Sequence, residues 1–220
     1  MPIQRYRPNF TSLTEDQLGP WHDVPPAIVS DIMNRSQVMD GRIKPIQDGS
    51  RICGQARTVN VMVGDNGAPH MLIGLMEPGE IMVINAGGFL GTAVWGGIMT
   101  RAAMQRGIGG IVVDGAVRDV SEIRELGFPT FAAGAVPAGP HKGYGGIIDG
   151  IISCAGCPVK SGDIVIGDDD GVAVVPLERQ EDLLVKSQEK IAQENETNAN
   201  TAKGALPGDR LGLGEAEWLD

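Results

Sequence analysis

Two short apolar runs, Ile81–Ile84 and Ile111–Val113, constrain this chain more than any other feature. Each is short and uniformly apolar, the pattern of a strand buried on both faces. The segment between them reads as a glycine-rich loop, with Gly87, Gly88, Gly91, Gly96 and Gly97, followed by a helix. Ile98, Met99, Ala102 and Ala103 fall on one face of that helix, and Thr100, Arg101 and Gln105 on the other. Gly107, Gly109 and Gly110 end it. A loop Asp114-Gly115-Ala116-Val117-Arg118-Asp119 then leaves the second strand. The result is a strand–loop–helix–strand–loop unit whose two loops both start at strand C-termini, where α/β proteins build their sites.

The two loops offer complementary chemistry. Gly96 and Gly97 precede a helix and bare its first N–H groups, those of Ile98 and Met99, which attract anions. Arg118 presents a planar fork for a carboxylate or an enolate oxygen. Asp119 presents a hard oxygen ligand for a divalent metal. The residues alone leave a second reading open, in which Arg118 and Asp119 are solvated loop charges and the glycines only turns. No Gly-Lys-Ser/Thr follows the glycines and no Gly-x-Gly-x-x-Gly occurs here, which argues against nucleoside triphosphate and dinucleotide sites.

A chain of 220 residues is long enough for one domain with a sizeable core. Its net charge of −10 disfavours nucleic acid as a partner, since phosphate binding needs a basic patch. The same charge repels anionic substrates, so a local cation must answer them. No apolar run reaches the roughly 18 residues of a membrane span, and the N-terminus lacks an apolar signal core. The expected location is the cytoplasm. Cys53, Cys154 and Cys157 read as reduced thiols, and Cys154-Ala-Gly-Cys157 has no second pair or histidine cluster to make a zinc site. His22, His70 and His141 each read as surface or loop residues.

Elsewhere, a polar arm covers residues 1–20, a short helix Ala27–Met33, and a strand Ala56–Val63. A helix opening near Ser121 ends at Gly127. Strands are expected at Thr130–Ala133 and Ile147–Ile152, and a hairpin turning at Asp168–Gly171. Leu177–Ala202 is the one long helical pattern.

Several blocks together carry a family resemblance: Val29–Asn34 (VSDIMN), Gly54–Val59 (GQARTV), Ala93–Ala103 (AVWGGIMTRAA), Asp114–Asp119 (DGAVRD), Phe128–Pro140 and Gly167–Pro176. In these the chain resembles the RraA-like proteins, which include class II aldolases of 4-hydroxy-4-methyl-2-oxoglutarate and 4-carboxy-4-hydroxy-2-oxoadipate, and the regulator of ribonuclease E activity. The resemblance implies an α/β fold of the swivelling β/β/α layered type, a single domain over residues 1–220. Its N-terminal arm and C-terminal helix and tail would contact neighbouring subunits of a homotrimer or homohexamer. It implies that the amides of Ile98 and Met99, in the Gly96-Gly97 turn, hold pyruvate together with Arg118. Asp119 would bind magnesium or manganese, and Glu194 would reach that metal from an adjoining subunit, with Glu189 and Glu196 as competitors. Lys142, which by itself reads as a solvated lysine, would in the family's arrangement be placed to meet a distal carboxylate.

The implied function is a divalent-metal-dependent carbon–carbon lyase acting on 2-oxo acids through a pyruvate enolate, as aldolase, as oxaloacetate decarboxylase, or both. The alternative is a non-catalytic regulator. One departure matters: family aldolases carry an acid separated by twenty intervening residues from the Arg-Asp pair, and here that position is Gly97. Decarboxylation is therefore expected to suffer less than aldol cleavage. A carboxylate restored at position 97 is expected to help aldol cleavage, provided that Gly97 does not need a positive φ.

Overall fold

The computed structural model describes residues 2–219. In chain order its elements are β1 (Ile3–Arg5), α1 (Glu15–Leu18), α2 (Pro26–Ile32), β2 (Lys44–Pro45), β3 (Ile52–Val61), α3 (Gly67–Ile73), β4 (Ile81–Trp95), α4 (Gly97–Gln105), β5 (Gly110–Val117), α5 (Val120–Leu126) and β6 (Thr130–Ala135). There follow β7 (Gly146–Ile148), β8 (Ile152–Cys154), β9 (Cys157–Val159), β10 (Ile164–Asp168), β11 (Gly171–Val175), α6 (Gln180–Thr201) and α7 (Pro207–Leu211).

Strands β3, β4, β5 and β6 run parallel at the centre of the main sheet. Antiparallel β7 and β2 flank them, and β1 adds a parallel edge beyond β7. The first half of β3 pairs instead with β10, which forms a hairpin with β11. One long strand thus joins two sheets.

Strand alternation sorts the apolar residues into three layers. Met82, Ile84, Ile111 and Val113 face the helices and bury Leu72, Met99, Ala103 and Ile123. Ile81, Val83, Val112 and Phe131 face the other way, onto Val165, Val172 and Val174 of the hairpin and onto Cys154 and Cys157. The far face of the hairpin, Ile164, Ile166, Ala173 and Val175, packs on Trp21, Ile28, Val29 and Leu183. The order is helices, sheet, sheet, helices: the β/β/α layers of the reading, with α2 and α6 added on the outer face of the hairpin.

Three local expectations change. Gly87–Gly91 is not a loop. Strand β4 runs on to Trp95, stepping its register against β5 at Asn85/Phe89, Phe89/Ala93 and Ala93/Trp95. Glycines in a strand mark such irregularities. Ile147–Ile152 is two strands, because Asp149 adopts φ 60° and ends the first. The arm is not wholly free, since Ile3–Arg5 pairs with β7 of its own chain. The hairpin at Asp168–Gly171 and the αL helix end at Gly127 stand as read. Cys154 and Cys157 face each other across a tight turn as buried free thiols, and burial pushes the Cys157 thiol up to about 12. No helix among the described residues is long and apolar enough to cross a membrane.

Asp149 bends the chain because its carboxylate is needed inside. It accepts from Arg57 Nε at 2.8 Å and Nη2 at 2.9 Å, from Ser161 Oγ at 2.9 Å and from Arg5 Nε at 3.1 Å. Burial alone would raise this carboxyl, but the Arg57 hydrogen bonds and charge outweigh it and hold it below the ordinary carboxylate value. Arg57 also reaches Glu80 at 3.1 Å. Arg57→Ala strands two acids, Asp149 with a fully buried side chain, and is expected to cost about 3–5 kcal/mol in urea unfolding. A loss below about 1 kcal/mol would show that water reaches the network. Because the Asp149 pKa is depressed, its contribution is present above the unfolded carboxylate value, about 3.9, and fades as pH falls through the lower folded value.

Candidate active site

The parallel strands β4 and β5 end side by side, and their continuations build one cavity of about 110 Å³. Helix α4 starts here. Gly96 is its N-cap, with φ −170° and ψ −172°, an extended conformation open to any residue. What Gly96 supplies is space. A Cβ at this position would lie 2.7 Å from Asp119 Oδ2 and 3.0 Å from Arg118 Cγ. The Trp95 carbonyl accepts from the Arg118 N–H at 3.0 Å, and Trp95 Nε1 donates to Thr100 Oγ1 at 2.8 Å. The first bond ties the end of β4 to the Arg118 loop. The second fixes the direction in which α4 departs.

Asp119 is in the left-handed region, at φ 58° and ψ 37°, as the N-cap of α5. Aspartate tolerates this conformation better than most residues, yet it is sparsely populated and tends to mark functional turns. The turn aims the carboxylate back at α4. The Gly97 N–H donates to Asp119 Oδ2 at 3.0 Å, and Arg118 Nε lies 3.6 Å from the same oxygen. Both side chains are about 40% exposed, so this ion pair contributes little stability and leaves Arg118 available to a ligand. Asp119 Oδ1 meets no hydrogen-bond donor among the described residues. The amides of Ile98 and Met99 follow Gly97 in the first turn, where a helix has no internal acceptor for them. Six of the seven residues read from sequence as the anion and metal site, Gly96, Gly97, Ile98, Met99, Arg118 and Asp119, therefore stand together, and the seventh, Glu194, does not join them within one chain.

Two further loops close the cavity. Asp65 is fully buried and accepts from the N–H groups of Gly67, Gly143 and Tyr144 at 2.8, 2.8 and 3.1 Å. It thereby pins the loop that carries Pro140 and Lys142 onto the cavity wall. Gly139 of that loop passes so close to Arg118 that a Cβ would sit 2.6 Å from Nη1. Asn66 and His70 complete the wall. Burial and the positive charge of Lys142 push the His70 imidazole below its ordinary value, which keeps it neutral near pH 7.

Sequence reasoning missed His70, Asn66 and one neighbour. His70 is exposed, as the surface-or-loop reading has it, but nothing local in the sequence tells that α3 abuts the cavity. The neighbour is Glu122, one turn into α5 from Asp119; its spacing on that helix was the available signal. Gly97 has no positive φ, so the backbone does not forbid a side chain there. A Cβ at 97 would lie 2.5 Å from the Glu122 carboxyl carbon and 2.6 Å from Oε1, with Oε2 nearer still, so a side chain there requires the end of the Glu122 side chain to move aside. Glu194 is not on this cavity. It lies on α6, paired with Lys190 at 3.6 Å, so any role at Asp119 requires a second copy of the chain.

A larger depression of about 600 Å³ borders Asn60, Asp149 and Lys160. Of its charged groups Asp149 is paired with Arg57 and Lys160 with Glu178, and Arg7 also lines it.

Gly96→Ala is expected to reduce turnover or ligand affinity at least tenfold while the fold is kept, because the added methyl displaces Asp119 and Arg118 but strains no backbone. Wild-type affinity with an unchanged melting curve would show that this packing is unimportant.

The family model described as RraA-like, Aldolase/RraA, matches residues 26–174. A protein of Halalkalibacterium halodurans that carries the name 4-hydroxy-4-methyl-2-oxoglutarate aldolase provisionally is 36% identical over 179 residues, 81% of this chain and 85% of its own. A Thermus thermophilus protein named 4-hydroxy-4-methyl-2-oxoglutarate aldolase is 30% identical over 148 residues, 67% of this chain and 90% of its own. The solved structure of an RNA-processing inhibitor RraA from Thermus thermophilus superposes with a TM-score of 0.64 at 28% identity, covering 70% of this chain and 93% of that one. With a match across most of its length and a fold to suit, this chain belongs to the RraA-like family.

Proposed function

We propose that the chain is a divalent-metal-dependent carbon–carbon lyase that forms a pyruvate enolate from a 2-oxo acid, either by retro-aldol cleavage of a 4-hydroxy-2-oxo diacid or by decarboxylation of oxaloacetate. The observation that carries this reading is convergence: a half-exposed guanidinium, a carboxylate in a strained turn and the free amides of a helix N-terminus face one small cavity. Names borne by relatives support the same chemistry.

In this reading the Ile98 and Met99 amides take the substrate carboxylate, and the Arg118 fork takes the developing enolate oxygen. Preorganised donors of this kind typically carry the largest share of such catalysis. Lys142, on the loop that Asp65 pins, receives the distal carboxylate of a diacid. Asp119 holds the metal through Oδ1. Among the described residues no cluster of three or more His, Cys, Asp or Glu could hold a metal. Magnesium is the ion that fits, since it keeps several waters and needs one or two carboxylates. When bound, magnesium or manganese adds positive charge beside the 2-oxo group. Glu194 of a neighbouring copy supplies the second carboxylate in a homotrimer or homohexamer. Exposed Met62 and Val63, just after β3, and Phe89 and Leu90, in the middle of β4, support such an assembly.

A second reading, a non-catalytic regulator, draws on the likeness to the RNA-processing inhibitor. Pyruvate release from a panel of 2-oxo diacids separates the two. The lyase reading expects magnesium-dependent release that chelator abolishes and added metal restores. Arg118→Lys is expected to lose about a hundredfold in kcat, because charge is kept but the planar fork is lost. Asp119→Asn is expected to lose the metal response. Release that ignores both chelator and Arg118→Lys would contradict this assignment, and no release from any diacid would favour the regulator.

A further inference from the structure

Retro-aldol cleavage makes a demand that Arg118, Lys142 and the helix amides do not meet. The C4 hydroxyl must lose a proton as the C3–C4 bond breaks, and C3 must then gain one. Arginine and protonated lysine only donate hydrogen bonds. Asp119 is already engaged by the Gly97 N–H and Arg118. Beside it, Glu122 Oε1 accepts from Arg101 Nε at 2.9 Å, while Oε2 meets no donor among the described residues. Arg101 is on α4 and Glu122 on α5, so this bond holds the carboxylate against the first turn of α4. The carboxylate lies against the first turn of α4, on the side where a side chain at position 97 would begin.

We propose that Glu122 is the proton-transfer carboxylate of this site, occupying from α5 the space that an acidic side chain at position 97 would take from α4. The inference rests on the lyase reading above. A water between substrate and Oε2 accepts the C4 hydroxyl proton and passes a proton to Glu122. The O–H electron pair becomes the new C4 carbonyl bond, the C3–C4 pair becomes the C2–C3 double bond, and the C2 carbonyl π pair moves onto its oxygen beside Arg118 to leave pyruvate enolate. The proton returns through water to C3. One hydroxy acid yields pyruvate and a second oxo acid, with no net oxidation. Decarboxylation has no hydroxyl proton to remove, so it needs only the return step. Glu122 acts through water and is a positioning residue.

The test uses the full chain with magnesium, 4-hydroxy-4-methyl-2-oxoglutarate and oxaloacetate. Glu122→Gln keeps the shape and the Arg101 contact. It is expected to lower kcat on the hydroxy acid about a hundredfold with KM and melting temperature little changed, and to lower decarboxylation less. Gly97→Asp alone is expected to lower the melting temperature, because two carboxylates then share one space. Gly97→Asp combined with Glu122→Ala is expected to recover both melting temperature and at least a tenth of aldol turnover. The melting comparison needs neither metal nor turnover.

Wild-type kcat in Glu122→Gln, or melting shifts of the two substitutions that merely add, overturns the proposal while leaving the lyase reading intact. So does loss of activity in His70→Asn with Glu122→Gln fully active, which makes the neutral histidine the base. A wild type that cleaves neither substrate overturns the lyase reading and this inference with it.

Discussion

The hydrogen bond from the Gly97 N–H to Asp119 Oδ2 joins the two halves of the site. On one side is the first turn of α4, on the other the turn that leaves β5. Each alone is a common loop end. Held together at 3.0 Å, they set the helix amides, Arg118 and Asp119 around one cavity. The bond requires the left-handed turn at Asp119 and the bare Gly96 beneath it. Two local oddities, a non-glycine residue at positive φ and a glycine in an ordinary extended conformation, thus have one physical cause.

The layers behind the site serve the same placement. Parallel β4 and β5 are buried on both faces, Ile81 and Val83 toward the hairpin and Met82 and Ile84 toward the helices. The two strands stay in register up to Asn85 and Asp114, beyond which β4 steps along β5. The Arg57–Asp149–Glu80 network braces β3 against the turn after β7, and Asp65 braces the loop bearing Lys142. Buried carboxylates of this kind fix geometry more than they add stability.

Much of this was legible in the sequence because it is local. The apolar runs, the glycines before α4 and the Arg118-Asp119 pair each declare themselves within a few residues. What was not legible depends on distance in the chain. Gly97 appears in the sequence as a missing acid; only the packing of α4 on α5 shows Glu122 in its place. His70 appears as a lone loop histidine until α3 is set beside the cavity. The stretch Gly87–Gly91 misleads because glycine marks both loops and irregular strands, and the neighbouring strand β5 decides between them. Glu194 came from family resemblance alone, and a single chain has no contact that tests it.

The central claim is that Arg118, the α4 amides and a metal at Asp119 hold an enolate. Oxalate has the shape and charge of the pyruvate enolate, so its binding by calorimetry tests that claim without turnover. The account predicts one oxalate per chain, binding that depends on magnesium, and at least a tenfold loss in Arg118→Lys. Oxalate binding that is absent in the presence of magnesium, or unchanged in Arg118→Lys, would contradict it.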